Sequence, residues 1–195
     1  PRVGNTKTRI ARESNELFAW LVSACSFQDT INNLSQSKDY DFIVIVDTEE
    51  ESVFLKRKFN LNTYVLNIGT KDQSERFAFL FELFEENYKK VVLIPSDVPS
   101  LTKETLTNAL EALNKRKYVF GPEYNGGVYL IGMSGIPTSI FNNVRWSTEN
   151  SLKDLIKNTN RKCSLLGFKG DINIVSDLKI FYEDIKANSF LLYNA

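Results

Sequence analysis

The run Val91-Val92-Leu93-Ile94-Pro95-Ser96-Asp97-Val98-Pro99-Ser100 constrains the fold more than any other stretch of the chain. Four consecutive apolar residues, rich in β-branched side chains, read as a strand covered on both faces, the habit of parallel sheets. Pro95 ends the ladder, having no N–H to give it. Leu101-Thr102-Lys103-Glu104 then opens a helix, with Thr102 as its N-cap. In open α/β sheets ligands collect beyond the carboxyl ends of the strands, and Asp97 is placed there. A short carboxylate at that point serves either as a turn cap or as an oxygen ligand for a hard cation such as Mg²⁺ or Mn²⁺. The stretch alone supports both readings.

The same unit recurs on either side. Leu17, Trp20, Leu21 and Ala24 fall at helical spacing, and the stripe continues through Phe27, Ile31 and Leu34. The segment before it, Pro1 to Arg9, reads as a loop with one glycine and three cations. Such a loop suits a phosphate, through free N–H groups and the charges of Lys7 and Arg9, although surface cations are also commonly just solvated. Phe42 to Val46 is a second strand, and Asp47 a cap or, secondarily, a ligand. Thr63 to Ile68 is a third strand ended by Gly69. The helix after it carries Phe77, Leu80, Phe81, Phe84 and Tyr88 on one face. Arg76, near its start, points to the same sheet edge as Asp97 if the sheet is parallel. This βαβα pattern implies a parallel sheet covered by helices.

After the helix carrying Leu106, Ala109, Leu110 and Leu113 the pattern changes. Tyr118–Gly121 and Val128–Met133 read as a β-hairpin around Pro122-Glu123-Tyr124-Asn125-Gly126-Gly127, where Asn-Gly is a turn signal. The glycines could equally let a ligand approach the backbone. Trp146 reads as core or as a pocket wall, with Ser147 or Thr148 capping a helix through Leu155. Lys162–Phe168 is a further strand. Asn173 is a cap for a last helix bearing Leu178, Phe181, Tyr182 and Ile185, and Asp171 is either a pocket acid or a solvated one.

Composition removes several chemistries. The chain has no histidine, so Ser-His-Asp and Cys-His catalysis and imidazole zinc sites are absent. Cys25 and Cys163 lack any motif and read as buried thiols. Lys+Arg and Asp+Glu number 24 each, which argues against a nucleic-acid or membrane-surface binder. No apolar run reaches the roughly 20 residues of a membrane span, and no signal peptide is visible. One soluble, cytoplasmic domain over 1–195 is the expectation. Apolar Phe190-Leu191-Leu192-Tyr193 marks a docking or homodimer contact.

Several segments, in order, resemble a family. These are Gly4-Asn5-Thr6-Lys7-Thr8-Arg9, Ser74-Glu75-Arg76, Ile94-Pro95-Ser96-Asp97-Val98-Pro99, Gly121-Pro122 with Gly126-Gly127-Val128-Tyr129-Leu130-Ile131-Gly132, Trp146-Ser147-Thr148-Glu149, and Asp171-Ile172-Asn173 with Asp177-Leu178. Together the chain is similar to the GT-A-fold bacterial proteins known as radical-SAM/selenodomain-associated transferase 1, relatives of nucleotide-sugar transferases and molybdenum-cofactor guanylyltransferases. The resemblance implies a three-layer α/β/α sandwich. Its sheet is mixed and mainly parallel, with a β-hairpin insertion near 118–133. It also implies a strand ahead of the glycine loop, so a segment before Pro1 is expected.

By the same resemblance, Gly4, Thr6, Lys7, Arg9, Arg76 and Ser96 would meet the phosphates of a nucleotide sugar or nucleoside triphosphate. Asp97, Asp171 and Asn173 would hold Mg²⁺ or Mn²⁺, with Asp97 and Lys7 as the catalytic pair. Asn125, Gly126, Gly127, Trp146, Ser147 and Thr148 would border a small-molecule acceptor. The implied activity is metal-dependent glycosyl or nucleotidyl transfer, or, in the alternative, nucleotide or sugar binding by a catalytically decayed module. Three positions depart from the family. Asn125 and Asn173 stand where carboxylates are usual, and Pro95 replaces a glycine. An amide lowers the charge offered to a metal and cannot accept a proton at neutral pH.

Overall fold

A computed structural model describes residues 6–66, 72–135 and 138–180. The elements follow in chain order as α1 (Thr8–Glu13), α2 (Glu16–Leu34), β1 (Ile43–Val46), α3 (Glu49–Phe59), β2 (Asn62–Val65), α4 (Gln73–Glu85), β3 (Lys90–Leu93) and α5 (Lys103–Lys115). The hairpin β4 (Tyr118–Pro122) and β5 (Val128–Ser134) comes next, then a 3₁₀ turn (Thr138–Phe141), α6 (Ser151–Asn158), β6 (Cys163–Leu165) and α7 (Asp177–Ile180). The segments Gly69 and Phe190–Tyr193, and the helical positions Phe181, Tyr182 and Ile185, lie outside the described residues.

The four-stranded sheet has the order β3-β5-β4-β6, with only β5 running against its neighbours. Alternation divides its side chains between two faces. Val119 and Leu130 enter a core with Leu101, Leu106, Ala109 and Leu113 of α5 and its lead-in. Phe120 and Ile131 enter a second core with Phe81 of α4, Ile140, Phe141 and Leu155 of α6. These are the helix–sheet–helix layers expected of an α/β chain. A third cluster joins α1 (Ile10), α2 (Ala19, Val22, Cys25) and Ile172, with no strand in it. It matters most for the site.

β1 and β2 form a separate parallel pair, Ile43 opposite Asn62. The expected sheet is therefore divided: β1 pairs only with β2 and β3 only with β5 among the described strands. A slot of about 1050 Å³ lies between them, lined by Ile43, Val44, Val91, Val92, Leu80 and Leu106 among others. The strand expected ahead of the glycine loop is outside the described residues.

Helix starts follow side-chain capping. Asn15, Thr48, Asp72 and Thr102 each accept a hydrogen bond from the N–H three residues on. Thr48, rather than Asp47, caps α3, and the Asp47 N–H instead donates to Glu51 at 3.2 Å. The expected loop to Arg9 ends at Lys7. Thr8–Glu13 is already helical, because Thr-Arg-Ile-Ala-Arg-Glu lets Ile10 reach the third core. Thr148 and Ser147 do not cap α6 directly. That helix begins at Ser151 after Asn150, whose N–H donates to the Thr148 hydroxyl at 3.1 Å. Nor does Asn173 cap α7: Asp177 turns back to accept from the N–H groups of Asn173 and Ile174.

Phe141 is fully buried and packs against Phe77, Phe81 and Trp146. Phe141→Ala should lower unfolding free energy by about 3–5 kcal/mol. Urea titration would show this as an earlier midpoint at unchanged slope.

Candidate functional site

The candidate site forms where the chain leaves β3. Val98 is fully buried in the α5 core, and this fixes the turn that carries Asp97. From the other side, Ile10 and Ile172 are both fully buried in the third core. They seat Lys7 and the 171–173 loop against the same turn. The Ile172 N–H donates to the Asp97 carbonyl at 3.4 Å. Lys7 Nζ donates to Asp97 Oδ2 at 2.7 Å and also to the Ile172 carbonyl. The Lys7 side chain is 9% exposed and that of Asp97 32%. Lys7 sits in the left-handed region, φ 48°, a conformation costing a non-glycine residue roughly 1 kcal/mol. The Thr6 hydroxyl holds the preceding residue by donating to Ser23 Oγ at 2.9 Å.

The hairpin turn closes another side. Parallel pairing of β4 with β6 continues past the strands: Lys169 N–H donates to the Pro122 carbonyl at 3.1 Å, and Glu123 bridges to Lys169. This lays 169–173 alongside 122–125. Asn125 turns its carbonyl oxygen to the Gly127 N–H at 2.8 Å, and its amide NH₂ faces Asp171 Oδ1 at 3.4 Å. Asn173 Nδ2 donates to the other Asp171 oxygen at 2.5 Å. Gly126 has φ 87°, and a Cβ there would lie 2.2 Å from the Glu149 carbonyl oxygen. At Gly127 a Cβ would lie 2.2 Å from Glu123 Oε2. The approach of Gly126 to backbone needs glycine, whereas the atom met at Gly127 is the far end of a side chain of the same turn. Gly126 docks the turn onto the 145–151 bend, where Leu152 N–H donates to the Gly126 carbonyl at 3.1 Å.

Charge dominates this space. Glu123 is buried, and its carboxyl is pushed up to about 7, first by desolvation and then by the charge of Asp171. Asp171 is also raised, by burial and then by Asp97. The Asn125 amide and the Lys7 charge act the other way on Glu123. Both acids are thus held in a field that favours the neutral form unless a cation is near. The donor chemistry fits a divalent cation, because an ammonium already occupies a cation position on Asp97 and the Ile172 carbonyl. Among the described residues no group of three or more His, Cys, Asp or Glu side chains could hold a metal ion. Mg²⁺ does not need one, since it commonly takes one or two carboxylates with substrate phosphates supplying further oxygens.

Of the residues singled out from the sequence, Lys7, Asp97, Asp171, Asn173, Asn125 and Gly127 meet here. Gly4 lies outside the described residues. Arg9 is on the exposed first turn of α1, and Arg76 and Ser96 line the slot between the sheets. The Thr6 hydroxyl is engaged by Ser23. Trp146 packs edge-on to Phe77 at 4.9 Å and donates to Ser74 Oγ at 2.7 Å, as part of the second core. Ser147, φ 58°, and Thr148 shape the bend behind Gly126. Glu123 carries no such signal in the sequence, where an acid in a hairpin turn reads as solvated; in the fold it pairs with Lys169 beyond β4 and β6 and is buried.

The chain belongs to the family described as an uncharacterized protein conserved in bacteria (DUF2064), whose model matches residues 30–148. No curated protein matches it. Among solved structures it is similar to a candidate nucleotide-diphospho-sugar transferase from Desulfovibrio desulfuricans G20. The identity is 24% and the TM-score 0.85, over 100% of this chain and 90% of that one. It is also similar to 4-diphosphocytidyl-2C-methyl-D-erythritol synthase from Anaerococcus prevotii DSM 20548, with 11% identity, TM-score 0.59, and 83% and 86% coverage. A third likeness is to CMP:2-keto-3-deoxy-manno-octonic acid synthetase complexed with CTP, with 8% identity, TM-score 0.58, and 83% and 87% coverage. At these identities the likeness establishes the GT-A-like fold. No described helix is long and apolar enough to cross a membrane.

A raised carboxyl in the fold favours the protonated state, so its stabilising share is present at low pH and lost as pH rises through the folded value. Glu123 should therefore make the protein less stable at pH 8 than at pH 5.5. Glu123→Gln should flatten that part of the profile and melt higher than wild type at pH 8. Thermal melts of both proteins across pH 5–8.5 test it.

Proposed function

We propose that the protein is a metal-dependent transferase that takes a nucleotide sugar or nucleoside triphosphate as donor and passes a glycosyl or nucleotidyl group to a small-molecule acceptor. The observation that carries this is the convergence of Lys7, Asp97 and Asp171 beyond the carboxyl end of β3, where open α/β sheets bind ligands. The fold shared with a CTP-bound synthetase supports a nucleotide donor. The order of motifs favours the radical-SAM/selenodomain-associated subtype and a cytoplasmic enzyme.

In this reading Asp97 and Asp171 hold Mg²⁺ or Mn²⁺, which when bound neutralises charge on the departing phosphate. Lys7, just ahead of α1, meets the donor phosphates. The Lys7 ammonium donates to a phosphate oxygen as charge builds there, a stabilisation that needs no nucleophile from the protein. Glu123, Asn125 and Gly127 form one wall of the acceptor side, and the bend behind Gly126 supports it. Asn125 and Asn173 keep the Asp171 carboxylate in place by donating to it. An aspartate at either position would instead face Asp171 with a like charge.

The test is a thermal-shift panel of nucleoside di- and triphosphates and nucleotide sugars, with and without Mg²⁺ or Mn²⁺. A ligand at 100 times its Kd stabilises by about 2.7 kcal/mol. A metal-dependent rise with one donor class is expected, and it should vanish in Asp97→Asn, whose turnover should fall about 10²–10³-fold. A flat panel for the wild-type protein would sink the assignment.

A further inference from the structure

One oxygen of Asp97 and both oxygens of Asp171 already take donors of this chain. Lys7 Nζ holds Asp97 Oδ2 at 2.7 Å and the Ile172 carbonyl beside it. Asn173 and Asn125 hold the two oxygens of Asp171. We propose that Lys7 is a stand-in cation that blocks the metal position on Asp97 until donor phosphate draws it away, so that metal enters only together with the phosphate-bearing donor. This rests on the transferase reading above.

The block is steric as well as electrostatic. A divalent cation of the Mg²⁺ type sits about 2.0–2.1 Å from its oxygens, whereas the ammonium nitrogen is 2.7 Å from Oδ2. A metal ion taking the lone pairs that Lys7 now uses on that oxygen and on the same carbonyl would displace the ammonium. If both crowded the site, they would repel in a space where the Lys7 side chain is only 9% exposed.

Lys7 is also not free to drift off. Its backbone is held left-handed at the start of α1, Thr6 is tied to Ser23, and Ile10 and Ile172 are fully buried on either side. Releasing it takes an anion stronger than one carboxylate, and a di- or triphosphate is such an anion. Metal and donor then favour each other's binding, a coupling that must act equally in both directions. Asp97 Oδ1 has no hydrogen-bond partner among the described residues and gives the idea its rival: metal entering there with Lys7 in place.

Titration of the nucleotide-free protein with Mn²⁺ alone, followed by loss of the free-ion electron paramagnetic resonance signal, decides between them. Lys7→Met keeps the stem and removes the charge, with Lys7→Gln as substitute if Lys7→Met does not fold by circular dichroism. The variant should bind Mn²⁺ about 5- to 150-fold tighter than wild type, the usual range for coupled sites. Lys7→Arg, which keeps the charge, should stay as weak as wild type. The gain should disappear in Lys7→Met/Asp97→Asn.

Equal affinity in wild type and Lys7→Met overturns the block. So does an absence of Mn²⁺ binding in every variant. In either case a metal-dependent nucleotide shift in wild type would leave the transferase reading standing.

Discussion

One ion pair holds together parts of the chain that have no local reason to meet. Lys7 and Asp97 lie 90 positions apart, and the Ile172 carbonyl that shares the ammonium is 165 positions from Lys7. With Lys7 9% and Asp97 32% exposed, the cost of desolvation offsets much of the attraction, so the pair contributes little to stability by itself. Its geometry depends instead on two buried clusters. Val98 anchors the turn after β3 in the sheet core, and Ile10 with Ile172 anchors the other two segments in a core built only of helices and loop. Packed interiors do not deform continuously, so the position of the ammonium is set by apolar side chains that never touch it.

The amides at 125 and 173 follow from the same crowding. Asp171 and Asp97 lie close enough to raise the proton affinity of Glu123, and Asp97 that of Asp171 as well. Two more acids there would add like charges to a space already short of cations. Asparagine supplies N–H donors to Asp171 and, through Asn125, closes the Gly127 turn as well. What looks in the sequence like loss of two ligands is, in the folded chain, a set of donors that keep a buried acid cluster in order.

The slot between β1 and β3 has a mainly apolar lining that belongs to strand faces, α4 and α5. It is a feature of how the sheet is divided. Asp97 lies beyond the strand ends, outside that lining.

Much of the architecture was written in local patterns. Runs such as Val91–Ile94 and Phe42–Val46, the helical spacing of α2, α4 and α5, the cap at Thr102 and the hairpin after Tyr118 depend on neighbours within a few residues, and the folded chain keeps them. Short-range signals also placed Asp97 just beyond a proline-ended strand, and the folded chain keeps it there. Boundaries set by side-chain capping were not legible: Thr48, not Asp47, takes the first-turn N–H of α3, and Asp177 turns back onto the N–H groups of Asn173 and Ile174.

Nor could the sequence tell that Arg76 and Ser96 line a slot, that Trp146 joins an aromatic core, or that Glu123 is an acid of the site. Those depend on β4–β6 register and on α1 packing against Ile172. Such contacts between distant segments are fixed by which apolar surfaces bury each other, a property of the whole chain and of no stretch within it.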